Sequence, residues 1–189
     1  MSSSRSYEFT GEMLLVGGAV LHRIRAVTDL PRQGVRAGDV GGWVESTDNL
    51  SGDAWVSGDA RVYGDALVSG NALVYGDARV SGDARVYGNA RVSGNALVSG
   101  DAQVCVSQDV LTVGPIGSES VTATLFRTAA GHTLRVGCWG GHVDDLAAEV
   151  ERRSADWTAD PEVARRRRAE YTALETLCSA RIAGWAAIQ

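Results

Sequence analysis

Three histidines, three cysteines, a file of aspartates and one run of arginines are the residues of this 189-residue chain that could do chemistry. A histidine titrates near neutrality, so beside an acceptor hydroxyl or amine it can act as a general base. His22, His132 and His142 are scattered, and residues 44–110 hold none. Cys138 opens the segment Cys138-Trp139-Gly140-Gly141, where a thiolate would be a nucleophile if a base stood near; His142 is the one candidate. The plainer reading is a cysteine buried on a strand. Asp65, Asp83 and Asp101 recur 18 residues apart. Carboxylates in file attract cations, but this spacing is not that of a calcium-binding nonapeptide repeat. Turn residues facing water, with Arg61, Arg79 and Arg85 nearby, account for them better. Arg165, Arg166, Arg167 and Arg168 form the one dense basic run. They read either as an anionic docking site for a nucleotide or acidic partner, or as a solvated helix face with Glu162–Arg166 and Arg166–Glu170 pairs. The Gly-Gly pairs at 17–18, 41–42 and 140–141 lack a phosphate-loop pattern. No metal or cofactor is expected.

Composition narrows the class. At 44% apolar residues the chain can build a core, and no apolar run approaches the roughly 18 residues of a membrane helix. Met1-Ser-Ser-Ser-Arg5 lacks the order of a secretion signal. Cys105, Cys138 and Cys178 are odd in number, widely spaced and never in a Cys-x-x-Cys pair, which points to a reducing cytoplasm rather than disulfides or a Cys/His metal site. A net charge of −5 removes general nucleic-acid binding as the default reading. All 18 basic residues are Arg, and 23 residues are Gly.

The glycines have a visible cause. From Ser51 to Val104 the chain is nine uninterrupted copies of [S/Y]-G-[D/N]-A-x-V. Every sixth residue of an α-helix walks around its cylinder, so this period cannot be helical. It fits short strands and tight corners: Ala and Val face inward, x and Ser/Tyr outward, and Gly with Asp or Asn turns the chain. Three hexads close a triangular coil of 18 residues. Val44, Leu50 and then every sixth residue to Val110 hold the inward register. Val44 to about Pro115 is therefore expected to make about four coils stacked about 4.8 Å apart.

This pattern resembles the hexapeptide-repeat superfamily, and the resemblance implies a left-handed parallel β-helix. Leu21–Val27, Gly34–Ser46 and Asn49–Ser51 look like the lead-in of hexapeptide-repeat proteins common in bacteriophages and prophages, which are often labelled transferases by fold. Val113–Ser118 and Arg135–Leu146 look like their exit segment. Acyltransferases of the superfamily bind acyl-coenzyme A between β-helices of a trimer and use a coil or loop His as base. The His-free coils, with no extruded loop, weigh against that chemistry here.

Residues 7–29 alternate as a β-hairpin with a Gly17-Gly18 turn, expected to cap the open end of the coil. Ser120–Thr128 and Thr133–Cys138 read as two strands joined by residues 129–132. Two helices follow: 142–153, burying Val143, Leu146 and Val150, and one starting at Asp160-Pro161 with an apolar stripe of Val163, Tyr171, Leu174, Cys178, Ile182 and Trp185. The expected fold is mainly β: an N-terminal hairpin cap and lead-in at 1–43, the β-helix at 44–115, and an α+β module at 116–189.

Taken at period 18, one outward side carries Trp55, Leu73 and Tyr75, too apolar for a solvated side. It is expected to cover the C-terminal helices or another subunit, with subunit contact favoured because the superfamily forms trimers. The whole reads as a cytoplasmic, phage-type protein that binds a host protein or small ligand, in a homo-oligomer and away from membranes; countering host defence follows from the phage resemblance alone. An acyltransferase-like enzyme with its site at a subunit boundary is the alternative. A polymerising structural protein is a weaker one, since both ends of the stack are blocked.

Overall fold

The computed structural model describes residues 5–117, 119–155, 157 and 160–186. Met1–Ser4 of the N-terminal segment and Ser118 of the exit segment lie outside the described residues. The chain starts with the expected hairpin, β1 (Tyr7–Val16) and β2 (Ala19–Ala26), followed by β3 (Val40–Val44). Nine two-residue strands, β4 to β12, then run from Trp55–Val56 to Gln103–Val104, one per hexad. They stack in parallel at i, i+18, as in Arg61↔Arg79 and Val62↔Val80. Nine strands on three sides make three complete turns; β3, paired to Arg61–Val62, and a bridge from Leu50 to Val68 begin the turn before them.

The interior is the repeat's Ala and Val, from Ala54 to Val104, all essentially inaccessible to solvent. Small β-branched and methyl side chains suit a narrow triangular bore, so the period of six is a packing requirement. At the corners glycine alone takes the left-handed conformation: Gly52 to Gly100, every sixth residue, have φ between +63° and +75°. The expected sharing of that role with Asp and Asn is not seen. From Gly52 to Gly82 each corner glycine also packs on the glycine one turn on, and a Cβ at Gly82 would come 2.9 Å from the Gly100 nitrogen. Asn71 instead donates its side-chain amide to Asn89 one turn on, at 3.4 Å.

The ladder is polar. Outside the strand pairs, alternate N–H groups donate to a carbonyl one turn later, as in Arg61 to Ala78 and Tyr63 to Val80. The last turn is thus left with donors, and its end needs acceptors. Asp109 supplies them: its Oδ2 accepts the N–H groups of Cys105 and Val106 at 2.9 and 3.0 Å. Sixty residues earlier, in the irregular opening turn, Asn49 stands at the same register and donates its amide to the Gly64 and Ala66 carbonyls at 2.9 and 2.8 Å.

Past Asp109 the register breaks. Val110 was expected inward in the coil, but β13 (Val110–Ile116) pairs antiparallel with β14 (Val121–Thr128). With β15 (Gly131–Val136) and β16 (Trp139–Gly141) these form a four-stranded sheet, larger than the expected hairpin. Thr124 on β14 accepts the Leu97 N–H at 3.1 Å, closing one edge of the coil. A 3-10 turn at Val143–Asp145 leads into α1 (Leu146–Ser154); α2 is Pro161–Ala186. Asp160 accepts the Glu162 N–H at 2.7 Å, the cap its position promised. Val143, Leu146, Leu174, Cys178 and Trp185 pack on the sheet in a second core, with Val150, Tyr171 and Ile182 at its margin.

Candidate functional site

The apolar strip of the coil is the first candidate, and the structure splits it. Trp55 is only 1% exposed and belongs to the coil's own core together with Ile24, Leu30 and Val35. A Cβ at Gly41 would meet Ile24 at 2.6 Å and the Trp55 ring at 2.7 Å, so β3 crosses the tryptophan at van der Waals contact. The loop between β2 and β3 reaches further, donating from Gln33 to the Asn71 carbonyl at 3.3 Å. What covers Trp55 is therefore the N-terminal lead-in, neither the C-terminal helices nor a second subunit. Leu73 packs partly on the same cluster, and Tyr75 is exposed. The stripe of α2 is likewise spent on its own sheet: Trp185 donates its indole N–H to the Gln108 carbonyl at 2.8 Å, and Arg181 reaches the same oxygen at 3.0 Å.

The arginine run opens α2 and does not act as a block. Arg166 pairs with Glu170 at 3.8 Å, the expected i,i+4 contact. Arg167 and Arg168 turn back over the Trp157 ring, at 5.9 and 5.6 Å from its centroid. Arg168 also meets Glu151 at 3.8 Å and donates to Ser154 at 2.8 Å. Tyr171 stacks on Trp157, with ring centroids 6.4 Å apart. Arg165 is exposed. Two of the four arginines, Arg167 and Arg168, thus pack on a half-buried tryptophan in the connection between the helices, a residue that sequence reasoning passed over. Its signal was there: a tryptophan in a polar stretch. Beneath it lies a cleft of about 30 Å³, lined by Trp139, Trp157, Tyr171, Glu149 and Arg153, the size of a single small group.

At the back of that cleft, Glu149 takes Arg152 at 2.7 Å and Arg153 at 2.5 Å. Hydrogen bonds from these arginines hold its carboxyl down at about 2. Arg153 Nη2 also donates to Cys138 Sγ at 3.6 Å. Cys138 is exposed, in the turn between β15 and β16, and not the buried strand cysteine expected. Its neighbour is a guanidinium; His142 faces elsewhere, edge-on to His132 at 5.0 Å. His132 Nε2 accepts the N–H of Val143 at 3.2 Å, which opens the first helical turn. Burial and then the neighbouring His142 lower the pKa of His132, so the ring is held neutral as an acceptor. His22 stacks on Phe9 at 4.8 Å. None of the three histidines lies on an outward face of the coil. Among the described residues no cluster of three or more Asp, Glu, His and Cys is arranged to hold a metal ion, the Asp65–Asp83–Asp101 file included.

A closed parallel coil with corner glycines, capped at one end by a hairpin and at the other by a sheet and two helices, defines a β-solenoid repeat protein. The comparison agrees: the family model described as YdcK beta solenoid repeat matches at residues 54–70, 60–76, 66–82, 78–93 and 90–105, all within the coil. No curated protein matches the chain. Among the described residues no helix is long and apolar enough to cross a membrane.

Proposed function

We propose that this chain is a non-catalytic binding protein in which a rigid solenoid presents the C-terminal module to a partner. The observation that carries the reading is the Trp157 surface: a tryptophan flanked by Arg167, Arg168 and Tyr171, the residue types that anchor protein interfaces, beside a cleft too small to engulf a cofactor. Two further features support it. The coil is tied to the module through the Leu97–Thr124 bond and the bridge from Ala102 to Thr128, so the surface rides on a stiff base. The histidines are engaged in aromatic and backbone contacts within the two flanking sheets. The lead-in and exit segments resemble those of phage and prophage hexapeptide-repeat proteins, which supports a left-handed coil, a cytoplasmic host protein as partner and a role in countering host defence. A homo-oligomer, a trimer by the superfamily's habit, is part of the same reading. With Trp55 covered internally, the sides that remain for subunit contact carry Tyr75 and Tyr87, each exposed.

Crosslinking in host cells, read by mass spectrometry, tests this. The expected result is one host protein crosslinked to the α1–α2 connection, lost in W157A and retained in Y75S. Acetyl-coenzyme A should bind no better than millimolar. Tight coenzyme binding, with turnover that a His132 or His142 substitution abolishes, would overturn the reading in favour of an enzyme.

A further inference from the structure

We propose that the side of the solenoid bearing Arg61 and Arg79 is an anion site, at which the two guanidiniums together hold a phosphate group. Strand register puts Arg23, Trp43, Arg61 and Arg79 in one outward row, through the pairs Arg23↔Trp43, Trp43↔Arg61 and Arg61↔Arg79. Arg23 is committed: it lies 4.9 Å above the Trp43 ring and pairs with Asp59 at 3.4 Å. Arg61 and Arg79 are not. Among the described residues neither has an ion-pair or side-chain hydrogen-bond partner, although aspartates line the corners on both edges of this side.

Two features make this pair unlike the other outward arginines of the coil itself, Arg85 and Arg91. Arg61 and Arg79 are direct register neighbours, about 4.8 Å apart at the backbone, where like charges repel. Arg85 faces Leu67 and Gln103, and Arg91 faces Leu73. Arg61 also has its Nε buried without an acceptor, as does Arg23 at the head of the row. A doubly charged tetrahedral oxyanion bridging the two forks cancels the repulsion, and the Arg61 fork turning onto it gives the buried Nε–H its acceptor. The adjacent outward row adds hydroxyls, Tyr63, Ser81 and Ser99, and Ser99 already accepts from Arg135 at 3.1 Å, which brings a third guanidinium to the end of the strip. The site lies on the coil and stands independently of the Trp157 surface.

The test follows the arginine Nε–Hε signals of the full chain by NMR during titration with inorganic phosphate and, separately, glycerol 3-phosphate at constant ionic strength, with acetate and chloride as controls. The expected result is a saturable shift of Arg61 Hε with either phosphate and not with the controls, and about tenfold weaker saturation in R79M. R61M, read through Arg79 Hε, should weaken it similarly. Tighter binding of the ester assigns the face to a phosphomonoester, tighter inorganic phosphate to the free ion. The proposal falls if acetate or chloride moves Arg61 Hε equally, if saturable shifts centre on Arg165–Arg168, or if a folded R79M binds phosphate unchanged.

Discussion

The opposed chemistry of Asn49 and Asp109 gives a quantitative expectation. Both side chains are buried, 2% and 4% exposed, and stand at the same place in the six-residue register. Asn49 faces two carbonyls and Asp109 faces two N–H groups. Asn49→Asp swaps a donor for a carboxylate oxygen 2.8–2.9 Å from the carbonyls, losing two hydrogen bonds and leaving two acceptors and a charge unanswered. The cost should be about 4 kcal/mol or more. Asp109→Asn keeps an oxygen that can take both N–H groups and loses charge assistance and the Arg127 pair at 3.7 Å, about 1–2 kcal/mol. Urea unfolding of the two variants should therefore show Asn49→Asp as the far weaker protein. Its new carboxyl is pushed upward by the carbonyls, so its deficit relative to wild type should shrink as pH falls toward about 4, where it protonates and regains a donor. Equal midpoints for wild type and Asn49→Asp, or a larger loss in Asp109→Asn, would refute the polarity argument.

Three further outcomes follow. Gly41→Ala places a methyl 2.6 Å from Ile24 and the Val56 carbonyl, so it should unseat the lead-in and speed hydrogen exchange of the Trp55 indole while the later turns keep their protection. His132 is neutral and lowered from its ordinary 6.5, so the unfolded chain binds the proton more readily. Its contribution is present above pH 6.5 and lost as pH falls below it, as the N–H of Val143 loses its acceptor; amide exchange at Val143 should accelerate in that window, and His132→Gln should flatten the dependence. Iodoacetamide should label Cys138, which is exposed, well before Cys178, which burial pushes up to about 11; peptide mapping that finds Cys178 labelled first would contradict the packing of α2.

Local rules made much of the molecule readable. Valine spacing set the coil register, the Gly17-Gly18 turn located a hairpin observed at Tyr7–Val16 and Ala19–Ala26, and Asp160-Pro161 marked the start of α2. What escaped is set by contacts between distant segments. Val110 kept the hexad spacing, yet Asp109 ends the ladder by consuming its last donors, a role invisible until the ladder's direction is known. Trp55 looked like an interface residue because its cover, Gly41 on β3, has no side chain to announce the contact. The Trp157 surface depends on two helices folding back on each other, which no periodicity reports.

Native mass spectrometry of the full chain purified from its host cells tests the central claim most directly, because it weighs the assembly and whatever the assembly retains in one spectrum. The account predicts a homo-oligomer carrying a host protein, with that protein absent when the W157A variant is purified the same way. A bare monomer, or an assembly whose bound mass is coenzyme A and is unchanged by W157A, would contradict it.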